Sequence, residues 1–205
     1  GGGMAKRGTV FLVAAVGTFL LGFVLQGMMP IMTLQHLHVK TVEEVAIPTP
    51  EFVQLAADYP AEFTAAFGQP TPQAFAKALE AGKSWYIAEA CWHCHSQQVR
   101  PVSNETLRFG PVSTAEEYQN QMHLPHLFGT RRVGPDLIRE AGRYSNDWHM
   151  AHLYDPRSVA PYSVMPAYPW YFDANRRPTE RGLALVAYLQ WLGSWIPESE
   201  RIGGN

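Results

Sequence analysis

The chain has 205 residues, of which 46% are hydrophobic and 17% are charged, and its formal net charge at pH 7 is −2. This charge balance gives no general electrostatic attraction to nucleic acid, so a nucleic-acid partner is not expected. The hydrophobic share is what one membrane anchor together with one compact domain would give.

Residues 10–29 form an uncharged run, VFLVAAVGTFLLGFVLQGMM. As a helix, a run of this length crosses about 30 Å of hydrocarbon. Lys6 and Arg7 lie before it, so the positive-inside rule places residues 1–9 in the cytoplasm and the later residues on the outer side. A cleaved signal peptide would have a shorter apolar core and a small-residue cleavage site, whereas the sequence PIMTLQ follows here. We therefore predict a single retained transmembrane helix.

The next segment, residues 30–70, is predicted to be a linker on the outer side of the membrane. Prolines and acidic residues interrupt its pattern, although its aromatic residues suggest short helical pieces that pack on something. Thr71 and Pro72 are then a good helix start, because an N-cap residue is followed by proline at the first helical position. The apolar residues that follow predict an amphipathic helix over 72–90.

Cys91 and Cys94 are the only two cysteines of the chain, and they lie in the run CWHCH, which ends at His95. This spacing is what covalent attachment of a c-type haem needs. The two thiols can reach the two vinyl groups of one haem edge, and the histidine that follows lies over the iron as the proximal ligand. The sequence therefore predicts one covalently bound haem c.

Two other chemistries use cysteines at this spacing. A redox dithiol is expected within a βαβ pattern, which is missing around this motif, and the adjacent His95 argues against it. A structural zinc site needs four ligands, and His149 and His152 could in principle complete a set with the two cysteines. Their order and surroundings do not resemble a zinc finger, so haem is favoured over both alternatives.

The haem iron needs a sixth ligand, for which a methionine on a loop is the usual choice. Met165 is followed by Pro166, which forces an extended conformation close to the final predicted helix. We therefore predict Met165 as the ligand, with His123 or His126 as the main rival. The two other downstream methionines lie in a polar stretch and at a predicted helix start, where methionine more often fills a core; they are Met122 and Met150.

A last helix is predicted over about residues 179–193, from an apolar stripe at helical spacing. The whole arrangement resembles that of class I cytochromes c, whose first helix crosses the last one at a glycine and an aromatic residue. Gly82 and Tyr86 match that pattern, and Tyr188 is the expected partner on the last helix. The predicted fold is therefore mainly α, with one transmembrane helix followed by a class I cytochrome c-like domain over 71–196 and a tail over 197–205.

From Cys91 onwards the chain contains the blocks CWHCHSQQVRP, ETLRFG, RRVGPDL, GRYSNDWHMAHLYDPR and SVMPAY. These blocks resemble subunit II of the cbb3-type cytochrome c oxidases, the membrane-anchored mono-haem cytochrome subunit of a haem–copper oxygen reductase. The resemblance implies that Cys91 and Cys94 bind haem c and that His95 and Met165 ligate its iron.

The resemblance also implies a function and its partners. The haem would accept an electron from a soluble cytochrome c or a further cytochrome c subunit and pass it to the haem–copper catalytic subunit, where oxygen is reduced. No catalytic residue is then expected in this chain. The expected location is the bacterial cytoplasmic membrane, with the haem domain in the periplasm. Two alternatives stay open: the cytochrome subunit of a nitric oxide reductase, and a free-standing membrane-anchored electron shuttle.

Arg100 lies a few residues after the haem attachment motif. Its guanidinium group suits bidentate pairing with a carboxylate, so we predict that it binds a haem propionate. An ordinary solvated surface pair is the alternative for this residue.

Overall fold

The computed structural model of the chain describes residues 2–129 and 131–197. The chain divides into two compact units, residues 1–38 and residues 39–205. Of the tail predicted over 197–205, residues 198–205 lie outside the described residues.

The first unit is a helical run made of helix α1 (Gly2–Phe23), a π-helical segment (Val24–Met28) and helix α2 (Met29–Leu34). Residues Lys6–Leu34 are long and apolar enough to cross a membrane. The helix is thus longer than the predicted 10–29, because the chain continues helically through Pro30. Proline lacks the N–H of a regular helix, and the preceding π turn, in which the Met29 N–H bonds to the Val24 carbonyl, accommodates it.

The second unit is built from helices and short 3-10 turns, so the predicted mainly-α class is confirmed. Its described residues contain no strand, and only isolated bridges join Lys40 to Asn120 and Phe172 to Pro178. The helices are α3 (Val42–Val45), α4 (Pro50–Asp58), α5 (Pro60–Phe67), α6 (Pro72–Ala88), α7 (Glu105–Phe109), α8 (Asn146–Tyr154), α9 (Pro156–Val159) and α10 (Glu180–Trp191).

Much of the segment predicted as a linker, residues 30–70, belongs to the core of this second unit. Phe52 and Phe63 are almost fully buried. The Phe52 ring lies 5.1 Å from the Phe63 ring and 4.4 Å from the Phe75 ring of α6, measured between centroids. From residue 39 onwards the segment thus packs into the second unit, with the short helical pieces that its aromatic residues predicted. Its prolines begin α4 and α5 instead of keeping the chain irregular, since proline is well tolerated in a first helical turn.

Helices α6 and α10 cross at close range, as the class I resemblance predicts. A Cβ atom added at Gly82 would lie 2.7 Å from the Tyr188 Cβ and would overlap the main-chain carbonyl of Ala184. Tyr86 and Tyr188 are fully buried beside this point, with their ring centroids 5.5 Å apart. Glycine is therefore required at residue 82 because the two backbones meet there.

We expect Gly82→Ala to lower the free energy of unfolding by about 2–3 kcal/mol, since the added methyl group overpacks a backbone contact that cannot yield without moving α10. Urea unfolding of the purified protein measures this change. The exposed Ser84 on the same helix gives a control, because Ser84→Ala should change stability by less than about 0.5 kcal/mol. Equal stability of the Gly82→Ala protein and the wild type would contradict the crossing.

Candidate functional site

A cavity of about 390 Å³ opens in the second unit, and its wall contains all the residues of the predicted haem site except Arg100. We call it the site cavity, and it is lined by Cys91, Cys94, His95 and Met165 together with mainly apolar neighbours. The volume lies in the range of about 300–1,000 Å³ that is typical of small-molecule and cofactor sites.

The two cysteines lie on a tight turn directly after α6. That helix ends at Ala88, two residues earlier than predicted, because Ala90 takes a left-handed conformation with φ 56°. The His95 N–H then bonds back to the Cys91 carbonyl over 2.9 Å, which closes the turn. Both cysteines are free thiols, and burial raises the pKa of the Cys91 thiol to about 12. The turn thus presents both cysteine side chains at the cavity.

The ring of His95 is held in one orientation. Its Nδ1 lies 2.9 Å from the carbonyl oxygen of Pro135, and because a carbonyl only accepts, Nδ1 carries the proton and Nε2 keeps a lone pair. Burial lowers the pKa of His95 below its usual value, so the ring is neutral. A Cβ atom at Gly134 would lie 2.7 Å from Nε2 of this ring. Only glycine therefore allows the chain to pass so close to the imidazole.

A buried carboxylate fixes the segment that carries Pro135. Asp136 accepts hydrogen bonds from the Ser96 hydroxyl (2.5 Å), the Gln98 N–H (2.8 Å) and the Ile138 N–H (3.0 Å). Burial raises the pKa of Asp136, and these donors act in the opposite direction. Pro135 and Asp136 lie in the block RRVGPDL, but the sequence alone predicts no role for either residue. The Gly-Pro pair followed by an acid is the available signal, and only the fold shows that Pro135 contacts His95.

Met165 lies on an extended loop after α9, as its position before Pro166 predicts. The Ser163 hydroxyl accepts from the Met165 N–H over 3.2 Å, and the Tyr168 N–H bonds to the Leu153 carbonyl over 2.8 Å. These two hydrogen bonds hold the backbone at Met165 and three residues after it. Its side chain is half-buried and reaches the site cavity.

The rival ligands lie away from the site cavity. Met122 and Met150 are buried in the hydrophobic core and do not line the cavity. His123 packs between aromatic rings, with its ring centroid 5.2 Å from that of Trp191, and His126 is likewise not in the wall. Of these four described residues and Met165, only Met165 lines the same cavity as His95.

Arg100 is not at the site cavity. Its guanidinium group donates to Glu105 Oε1 from Nε (2.9 Å) and from Nη2 (2.7 Å). Burial would raise the pKa of Glu105, but hydrogen bonds from Arg132 and Arg100 outweigh burial and lower it to about 2. Nε and Nη2 of Arg100 thus already have a carboxylate partner five residues along the chain, and its binding to a haem propionate stays a prediction. Arg143 is the arginine in the cavity wall.

A family model described as "Cytochrome C oxidase, mono-heme subunit/FixO" matches residues 71–182, which is more than half of the chain. The chain belongs to this FixO family. The match confirms the predicted resemblance to subunit II of the cbb3-type oxidases. No curated protein matches the chain in a sequence search.

The FixO match begins at the cap of α6 and ends within the first turn of α10, so it includes every residue of the predicted haem site. Membership implies a cytochrome c domain that holds one haem and associates with other oxidase subunits in a membrane. The apolar helix Lys6–Leu34 lies before the matched region and is able to provide a membrane anchor.

Proposed function

We propose that this chain carries electrons through one covalently bound haem c to a haem–copper catalytic subunit that reduces oxygen. The observation that carries the proposal is the site cavity, in whose wall the fold brings together two free thiols, a neutral imidazole and a thioether. This is the donor set of a c-type haem with histidine and methionine ligation.

The residues present fit a haem. Cys91 and Cys94 would hold it through thioether bonds, and His95 and Met165 would ligate its iron. When bound, the haem supplies a one-electron carrier. The chain's own part is to orient and insulate it: the Pro135 carbonyl keeps His95 Nε2 unprotonated, and the apolar wall of the cavity excludes water.

The same proposal extends to topology. Lys6 and Arg7 before the apolar helix favour a cytoplasmic N-terminus and a periplasmic cytochrome domain over 71–196, onto which residues 39–70 pack. The location would be the bacterial cytoplasmic membrane. The electron would come from a soluble cytochrome c or a further cytochrome c subunit, and would leave to the catalytic subunit.

Affinity purification of the full-length chain from detergent-solubilised membranes tests the proposal. We expect a stoichiometric many-spanning haem–copper subunit in the eluate, a c-type α band in the reduced spectrum, and oxygen consumption with a reduced cytochrome c. A coloured chain that elutes alone would instead indicate a free-standing shuttle. A colourless full-length chain would overturn the haem proposal itself.

A further inference from the structure

The site cavity contains two buried polar side chains for which the proposed function gives no role. Glu140 and His149 are 3% and 4% exposed, and both line the cavity. Glu140 Oε1 lies 4.0 Å from His149 Nε2, and that nitrogen has no hydrogen-bond partner in the described part of the chain. A carboxyl group and an imidazole therefore lie near each other in the wall, at a separation longer than a hydrogen bond.

The surroundings keep both groups uncharged near neutral pH. Burial raises the pKa of Glu140 to about 8, against the lowering effect of Arg143 and together with the raising effect of Asp136. Burial also lowers the pKa of His149 to about 3, and the neighbouring His152 lowers it further. Below about pH 8 the carboxyl group thus carries its proton.

The charged groups around Glu140 come from few elements. Its own segment supplies Arg143 and Asp136, and α8 supplies the two histidines. From α10 the neighbouring polar side chain is Gln190, an uncharged amide whose Oε1 accepts from the Gly142 N–H over 2.9 Å. None of these groups is a permanent ion-pair partner that would fix the charge of Glu140. A change of charge inside the cavity can therefore alter its protonation.

We propose that Glu140 takes up a proton when the haem is reduced and releases it on oxidation, so that this residue sets the pH dependence of the reduction potential. The inference rests on the proposed function, since it needs the haem in the site cavity. As one electron from the reduced donor cytochrome converts ferric to ferrous iron, a fraction of the ionised Glu140 carboxylates each gain one proton from solvent and form an O–H bond. Oxidation reverses both transfers.

The direction in which the reduction potential changes with pH follows from the charges of the two haem states. Ferric haem carries one positive charge more than ferrous haem, and charges in a cavity of low dielectric interact strongly. Oxidised haem therefore favours the carboxylate, which makes the pKa of Glu140 lower in the oxidised state than in the reduced state. The reduction potential should fall as the pH rises through these two values, because the carboxylate stabilises the ferric form.

We expect the acid dissociation constant of Glu140 to differ about tenfold between the two redox states, which corresponds to a total fall in potential of about 59 mV. Redox titration of the full-length, haem-loaded protein in detergent from pH 6 to pH 10 measures it. Glu140→Gln keeps the shape of the side chain and removes the proton, so its potential should not change over this range. Glu80→Gln, on the exposed surface of α6, is the matched control and should behave like the wild type.

A pH-dependent fall that persists in Glu140→Gln would overturn the proposal and assign the titration to a haem propionate. If that variant does not accumulate, redox-induced infrared difference spectra of the wild type at pH 8 decide. A protonated carboxyl band should appear on reduction and keep its frequency when the haem is built from ¹³C-labelled 5-aminolevulinate, whereas a haem propionate band would shift. A coloured protein in which no unshifted band appears contradicts only this inference, and a colourless protein contradicts the proposed function.

Discussion

Replacing both Cys91 and Cys94 with serine is expected to give a chain that contains no covalent haem. The chain has no other cysteine, so no further thiol is present to form a thioether bond with the vinyl groups. Each single replacement should leave one possible thioether and a weak haem stain. Denaturing electrophoresis followed by haem staining measures the result, because only covalently attached haem stays with the chain.

The loss of covalent haem should also lower the amount of folded protein. Apolar side chains of α10, including Leu185 and Leu189, line the site cavity, and without haem they face an opening of about 390 Å³. A cavity left unfilled in an apolar core is destabilising, by an amount that grows with its volume. Ser84→Ala serves again as a surface control. Full haem staining of the double serine variant would contradict the assignment of both cysteines.

The parts of the site that the sequence predicted are those that depend on local chemistry. The CWHCH run needs only its own spacing, and the placement of Met165 follows from the proline after it. Gly82 could be placed at the helix crossing because the resemblance to class I cytochromes c implies a glycine and an aromatic residue there. For the cysteines and Met165, the nearest neighbours along the chain carry the information.

The parts that were missed depend on contacts between distant residues. Residues 30–70 are predicted to be a linker with short helical pieces that pack on something, and only the fold shows that Phe52 and Phe63 pack in the core together with α6. The pairing of Arg100 with Glu105 is a short-range case, since the two residues lie five positions apart. A single sequence does not say which acid an arginine pairs with, because solvent and neighbouring groups compete for its five N–H groups.

The buried acid in the cavity wall is a further example. Glu140 reads as an ordinary surface residue between Arg139 and Ala141, because charged residues are seldom fully buried. Only the fold places it beside His149, on a helix that begins several residues later. The burial of a polar residue is the informative observation here, and it cannot be obtained from one sequence.

Met165→Leu is expected to keep the haem attached and to lower its reduction potential. The thioether bonds at Cys91 and Cys94 do not depend on the sixth ligand, so haem staining should be unchanged. The weak sulfur-to-iron band at the red end of the ferric spectrum should disappear. Without the thioether ligand, ferrous iron is no longer favoured. The reduction potential should therefore fall on the order of 0.1–0.3 V, within the range of about 0.8 V that axial ligation covers.

Electron flow through the complex should fall with the potential. For one electron, each decrease of about 59 mV makes reduction of the haem by its donor tenfold less favourable. Oxygen consumption by the purified complex should therefore fall at least about tenfold. Met122→Leu and Met150→Leu are matched controls, because both side chains are buried in the core and lie away from the site cavity. Loss of the sulfur band in the Met122→Leu protein and its retention in Met165→Leu would show that the loop before Pro166 does not supply the ligand.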